Sequence, residues 1–340
     1  MRSIFLLVVL WMSVTVVPAQ DKNVQDKIQE KYGKGKIYAG IRLADKHLSG
    51  KDPDMSVLVL RADGLNRIGR YLNAEIDARK AIHSGNGELL KPAAAQLGVA
   101  YMETGRSDSA RYWLETSLGS GNDSEALIRL GRMDAIQGDH KKALIRFDQV
   151  LKDSPGNVRA LMDRGAAYSI IGDTAAAKAD LDRAVELSPR DPVAWNSRGF
   201  HVHAAQGRHL QAIEDYDRAI KFDPNYSFAF NNRGWSYYKL GNVKKARKNI
   251  RAAGKKRAGN PFVYRNLGVI DLETGDTAKA CIQFERALAL NFTQLHGDEV
   301  SELIKKHCGR SPEEKPGAKP LSNAPATPPV RSNAPRSNAP

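Results

Sequence analysis

Cysteine is almost missing from this sequence, with two residues in 340. So few thiols exclude a disulfide-dense small domain and an all-cysteine zinc or iron–sulfur site. Aromatic residues make up only 7% of the chain, and no apolar run approaches the ~20 residues that a membrane-crossing helix needs. The short motifs of catalysis are also absent. There is no nucleophile elbow, no glycine-rich phosphate loop ahead of a helix, no His-Glu-x-x-His and no recurring carboxylate pair. Enzymes gather titratable groups in a cleft; with no such signal here, we expect a non-enzymatic protein and assign no catalytic residue, cofactor or metal ligand.

Positive charge, by contrast, is plentiful. Lys and Arg total 52 against 38 Asp and Glu, a net charge of +14. Nine of those cations fall between Lys239 and Arg257, a stretch without a single acid.

The two ends read differently from the middle. Residues 1–19 have the layout of an export signal: Arg2, then the apolar run Ile4 to Met12, then Val17-Pro18-Ala19 ahead of Gln20. This predicts a cleaved signal peptide and a periplasmic or extracellular protein. No cysteine follows the run, so a lipoprotein anchor is not expected. Residues 309–340 repeat Ser-Asn-Ala-Pro at 322–325, 332–335 and 337–340. With almost nothing apolar to bury, this tail is expected to be disordered.

Between the ends the chain repeats itself. Small residues recur at Ala62, Gly98, Gly131, Gly165, Gly199, Gly234 and Gly268, 33–36 residues apart. Seven or eight residues after each stands a glycine, and five after that an alanine, as at Gly172 and Ala177. Such a period implies a stacked array. In the 158–191 unit, Leu161, Gly165 and Tyr168 share one helical face. Gly172 can end that helix in the left-handed conformation, Asp173 or Thr174 can cap the next, and Pro189 stops it. Gly165 and Ala177 allow close approach while Tyr168 and Leu181 fill the sides. One such hairpin cannot bury both faces alone, so neighbours must stack.

This pattern resembles the tetratricopeptide repeat, a helix–turn–helix unit of about 34 residues. Its large position 4 is filled by Leu127, Leu161, Trp195, Phe230 and Tyr264, and position 24 by Phe147, Leu181, Tyr216, Ile250 and Phe284. The match is close over 124–294 and looser over 55–123. The resemblance implies an all-α, right-handed solenoid of seven repeats, at 55–90, 91–123, 124–157, 158–191, 192–226, 227–260 and 261–294. A degenerate leading repeat is expected at 20–54, with Ile37 to Leu48 its helical part, and a capping helix at 295–308. The resemblance is to exported bacterial proteins of this kind, and it implies protein binding without naming the partner.

On the first helix of each unit, positions 2, 5, 9 and 12 point away from the packed side, into what the resemblance implies is a concave groove. In the C-terminal units these positions bring Asn196, Phe228, Asn231, Trp235, Tyr238, Phe262 and Arg265. Rings and amides together suit an extended peptide or a helix; the alternative is that the rings pack on the adjacent repeat. The chaperone-tail mode of this family, with Lys at position 5 and Asn at 9, matches no unit. In the basic stretch, Ala246, Ile250 and Ala253 point inward, so Lys244, Lys245, Arg247, Lys248 and Arg251 are expected to face solvent. A solvated face is one reading. The other is an anionic partner (an acidic protein surface, a glycan or a lipid head group), with nucleic acid disfavoured because no base-reading module accompanies the patch.

Two further features stand out. Gly199 to Gly207 is one residue longer than its counterparts and holds His201 and His203, with His209 across the turn. The extra residue implies a π-bulge or a longer turn, and three histidines raise the thought of a metal. Cys281 and Cys308 would be bonded in an oxidising compartment, as the resemblance to exported repeat proteins also implies; two reduced, buried cysteines are the alternative.

Overall fold

A left-handed glycine closes the first helix of every hairpin. Gly35, Gly69, Gly105, Gly138, Gly172, Gly207, Gly241 and Gly275 all have φ between 69° and 86°, a region that costs glycine little. Directly after several of them an Asp or Asn caps the next helix. Asp139, Asp173, Asn242 and Asp276 each accept a backbone N–H three residues on, at 3.0–3.1 Å.

The computed structural model describes residues 23–50, 53–119, 121, 123–292 and 297–309. The signal-like segment 1–19 and nearly all of the Pro-rich tail lie outside them. Among the described residues there are seventeen α-helices and no strands. The first four hairpins pair α1 (Val24–Gly33) with α2 (Ile37–His47), α3 (Met55–Arg67) with α4 (Tyr71–His83), α5 (Gly87–Glu103) with α6 (Ser107–Leu118), and α7 (Ser124–Ile136) with α8 (His140–Asp153). The next four pair α9 (Val158–Ile170) with α10 (Thr174–Leu187), α11 (Pro192–Arg198) with α12 (His209–Phe222), α13 (Ser227–Lys239) with α14 (Val243–Lys256), and α15 (Pro261–Glu273) with α16 (Thr277–Ala289). A last helix, α17 (Glu299–His307), buries Val300 and Ile304 against Phe284 and Phe292. No helix is long and apolar enough to cross a membrane, among the described residues.

From α5–α6 onward each of the six hairpins closes on one tight contact. A Cβ added at Gly131 would lie 2.6 Å from the Phe147 ring, and one at Gly165 2.8 Å from Leu181. The large residue of the second helix therefore sits directly on the backbone of the first. Between hairpins the core is continuous: Leu127, Leu161, Trp195, Tyr216 and Ala229 belong to one buried cluster that crosses three successive stacking interfaces.

Two details depart from the sequence reading. The leading unit holds two helices, where only 37–48 was expected to be helical. Asn23 caps α1 by accepting from Asp26 N–H at 2.8 Å, and the Tyr32 hydroxyl donates to Leu60 C=O at 3.0 Å, tying α1 to α3. α5 begins at Gly87, ahead of the expected boundary at 91, because Asn86 accepts from Glu88 N–H at 3.0 Å. Of the two expectations for the extra residue of the 192–226 unit, the structure shows the first: a π-helical turn at Gly199–His203 that continues α11.

Candidate binding surfaces

The first helices build one surface from the positions expected to face a groove. Successive first helices place position 5 of one beside position 6 of the next, and this register decides which side chains stay free. Asn196 accepts from Asn232 at 3.0 Å, and Asn231 accepts from Asn266 at 3.1 Å. Asn231 is only 4% exposed. It is an internal amide joining two helices, not the open peptide ligand expected from its position.

Two other expected groove residues are held by the end of the stack. Phe262 packs edge-on against Phe292, with ring centres 5.4 Å apart. Arg265 spans Glu299 of α17 with two nitrogens and donates to Asn266 at 2.9 Å. Its guanidinium also lies 4.6 Å from the Trp235 ring centre. Trp235 is half-buried, with Tyr238 tilted against it at 4.8 Å and the Lys239 ammonium at 5.2 Å. Burial, and behind it a hydrogen bond to Glu273, raises the Tyr238 hydroxyl to about 12. Phe228 lies beside Tyr226 at 5.9 Å, under Arg257 at 5.4 Å.

The residue that sequence reasoning left off this surface is Phe200. It occupies position 9 of its unit, as Trp235 does in the next, and it is 47% exposed. It stands in the π turn with its ring edge-on to His201 at 4.9 Å. The shared position 9 was a signal in the sequence, hidden by the extra residue. Burial lowers the His201 imidazole to about 4 and also lowers His203 and His209. Among the described residues these histidines do not gather into a metal-ligating cluster. Further toward the N-terminus the same surface carries ion pairs, Arg132 with Asp163 at 2.6 Å and Arg159 with Glu125 at 2.9 Å. Burial raises the Asp163 carboxyl despite Arg132.

A second arrangement, also missed, joins hairpins. Arg164 grips Asp180 of its own hairpin with Nε and Nη2, both at 2.7 Å, and reaches Asp148 of the preceding one at 2.7 Å. Arg61 does the same with Asp77 and Asp45, and Arg198 with Asp215 and Asp182. Hydrogen bonding to these aspartates raises the already high guanidinium pKa of all three arginines. The signal was present: an arginine just before the small residue, with an acid 16 residues on. In the 192–226 unit that separation is 17, and the π turn absorbs the difference so that the clamp survives.

On α14, five cations were expected to face solvent, and four do: Lys244, Lys245, Lys248 and Arg251 are exposed. Arg247 is the correction. It pairs with Asp271, donates to Thr274 at 2.8 Å, and has 23% of its side chain exposed. An aspartate at position 11 of α15, where three other units carry Tyr101, Tyr168 and Tyr237, draws it across the interface, as Asp134 at the same position of α7 draws Arg111. Lys245 places its ammonium 5.1 Å from the Tyr237 ring centre. Beside α14 runs an open depression of about 530 Å³ lined by Lys244, Arg247, Lys248, Arg251, Ala252 and Lys255. At the end of the stack Cys281 and Cys308 are disulfide-bonded, with Cα atoms 5.8 Å apart.

These features define an all-α solenoid of stacked hairpins presenting side-chain surfaces to the outside. Tetratricopeptide repeat models match residues 128–192 and 231–291, and a TPR repeat model matches 201–241. The chain belongs to the tetratricopeptide-repeat family, whose repeats generally mediate protein–protein interaction. No curated protein matches it in sequence. Among solved structures it is similar to a tetratricopeptide repeat protein from Parabacteroides merdae, at 18% identity and TM-score 0.62, over 74% of this chain and 97% of that one. It is also similar to the Cut9–Hcn1 hetero-tetramer of the APC/C, at 16% identity and TM-score 0.65, over 84% of this chain and 55% of that one. Yeast Tom70 matches at 16% identity and TM-score 0.55, over 87% of this chain and 66% of that one. At these identities the likeness is one of fold.

Proposed function

We propose that the chain is a non-enzymatic scaffold holding a peptide or helical segment of another protein on the first-helix surface of its C-terminal hairpins. One observation carries this reading: Phe200 and Trp235 stand at the same repeat position in adjacent hairpins, neither ring fully buried. A ladder of partly exposed rings supplies apolar anchors, and Asn196 with Asn232 supplies a polar strip beside them. Phe228 and Tyr238 flank the anchors. Asn231 is left out, because its burial removes it from a ligand's reach.

The test is capture of binding partners by the intact chain and by Phe200→Ala/Trp235→Ala. The double variant should lose capture while keeping its helical circular dichroism. Unchanged capture would remove the ring ladder from the function.

We place the working site outside the cytoplasm, in the periplasm or extracellular space. The signal-like residues 1–19 and the Cys281–Cys308 bond support this. Recovery of the full-length protein in the cytosolic fraction, with residues 1–19 retained, would refute it.

A further inference from the structure

The solvent face of α14 differs from that of every other second helix, and the difference sits at defined positions. Ten residues after the turn glycine, the other hairpins place Asp45, Glu115, Asp148, Asp182, Asp217 and Glu285, or Arg79. Arg79 pairs with Glu75 of its own helix at 3.0 Å. In α14 the residue is Arg251, and the helix contains no acid at all. Two residues earlier, where the clamped hairpins place Asp77, Asp180 and Asp215, α14 has Asn249. The next first helix has Leu267 where Arg61, Arg164, Arg198 and Arg233 stand. Both acids of the internal clamp have gone from α14, and so has the arginine that would have met the second.

α14 carries six exposed cations with no ion pair to any described residue, and four of them, Lys244, Lys248, Arg251 and Lys255, share one face. They fall at i, i+4, i+7 and i+11, a single stripe about 16 Å long with steps of about 6, 4.5 and 6 Å. The depression of about 530 Å³ follows this stripe, and Ala252 is the small residue on its lining. Long side chains flanking an alanine let another backbone come close.

We propose that this stripe docks an acidic helix of a protein partner, with carboxylates at the same i, i+4, i+7 and i+11 spacing, laid along α14. Only a second α-helix repeats those unequal steps. α14 offers no aromatic ring, so bases have nothing to stack on. The only apolar side chain lining the depression is that of Ala252, so insertion into a lipid surface has no anchor. The surface lies on the second helices, away from the Phe200–Trp235 ladder, and the proposal does not depend on that reading.

Binding to the full chain is measured by fluorescence anisotropy with a lactam-stapled helical peptide of about 18 residues, long enough to stay helical once stapled. One peptide carries Glu at the four matched positions. A second has the same composition with the glutamates spread around the helix. The matched peptide should bind at least about tenfold more tightly than the second, and lose affinity steeply as salt rises to about 0.5 M. Substituting Gln at 244, 248, 251 and 255 keeps helix propensity and should cost at least about tenfold. Should that variant fold poorly, Lys248→Gln/Arg251→Gln should still weaken the matched peptide measurably. Phe200→Ala/Trp235→Ala should bind it unchanged. Equal affinity for both peptides would overturn the proposal. So would tighter binding of heparin, single-stranded DNA or anionic vesicles than of the matched peptide, or indifference to the Gln substitutions.

Discussion

Arg233 donates from Nε to Asn249 Oδ1 at 2.8 Å, at the place where Arg164 and Arg198 each grip a carboxylate. The same guanidinium position thus meets a neutral amide in one hairpin and a buried carboxylate in its neighbours. Asp180 is 7% exposed and Asp215 2%. Removing the arginine strands a charge in one case and an amide in the other. Arg164→Met should therefore cost about 3 kcal/mol, and Arg233→Met about 1 kcal/mol, in urea unfolding. Arg164→Lys should rescue little, because a lysine cannot reproduce the two-nitrogen grip. Equal losses at both sites would contradict this account.

Gly131 and Phe147 test the hairpin contact. A side chain at 131 must displace the Phe147 ring, which is 1% exposed and has nowhere to go. Gly131→Val should lower stability by about 2 kcal/mol through overpacking, despite removing a helix-interior glycine. Phe147→Leu in the same chain should recover part of the loss, as a double-mutant cycle would show.

The histidines of the π turn give a pH dependence with a definite sign. Burial lowers His201 from 6.5 to about 4, so on acidification the unfolded chain takes up a proton before the folded one does. Stability should fall as pH drops from about 6.5 toward about 4 and lose nothing further from this group below that. His201→Gln should flatten that stretch of the stability curve, measured as urea midpoints at successive pH values. An identical slope in the variant would show that His201 is protonated alike in both states.

The Cys281–Cys308 bond closes 27 residues, which in the chain-entropy model contributes about 3–4 kcal/mol. The unreduced protein should show no thiol reactive to maleimide. Cys281→Ser/Cys308→Ser should speed hydrogen exchange in α16 and α17 while leaving α3 to α10 unchanged, since repeats couple chiefly to their neighbours.

Much of this was legible in the residues. The columns of turn glycines and small residues give the hairpins and their stacking, because a glycine at a helix end and a large side chain on a bare backbone are local requirements. The leading hairpin could have been read too, since Gly35 stands 34 residues before Gly69. Phe200 was obscured only by its place in a lengthened turn.

Sequence alone thus determined that paired helices form, where they turn, and that α14 would be basic. Only the tertiary structure decided which polar groups remain free. Asn231 and Asn232 are chain neighbours with the same chemistry, yet Asn231 is buried against Asn266 while Asn232 turns to Asn196. Arg247 and Arg251 share a helix, yet Asp271 takes one and Leu267 leaves the other open. Those partners lie on the next hairpin, and which of them meet depends on how far one hairpin is offset from the next. Periodicity sets the spacing of the units; packing sets that offset.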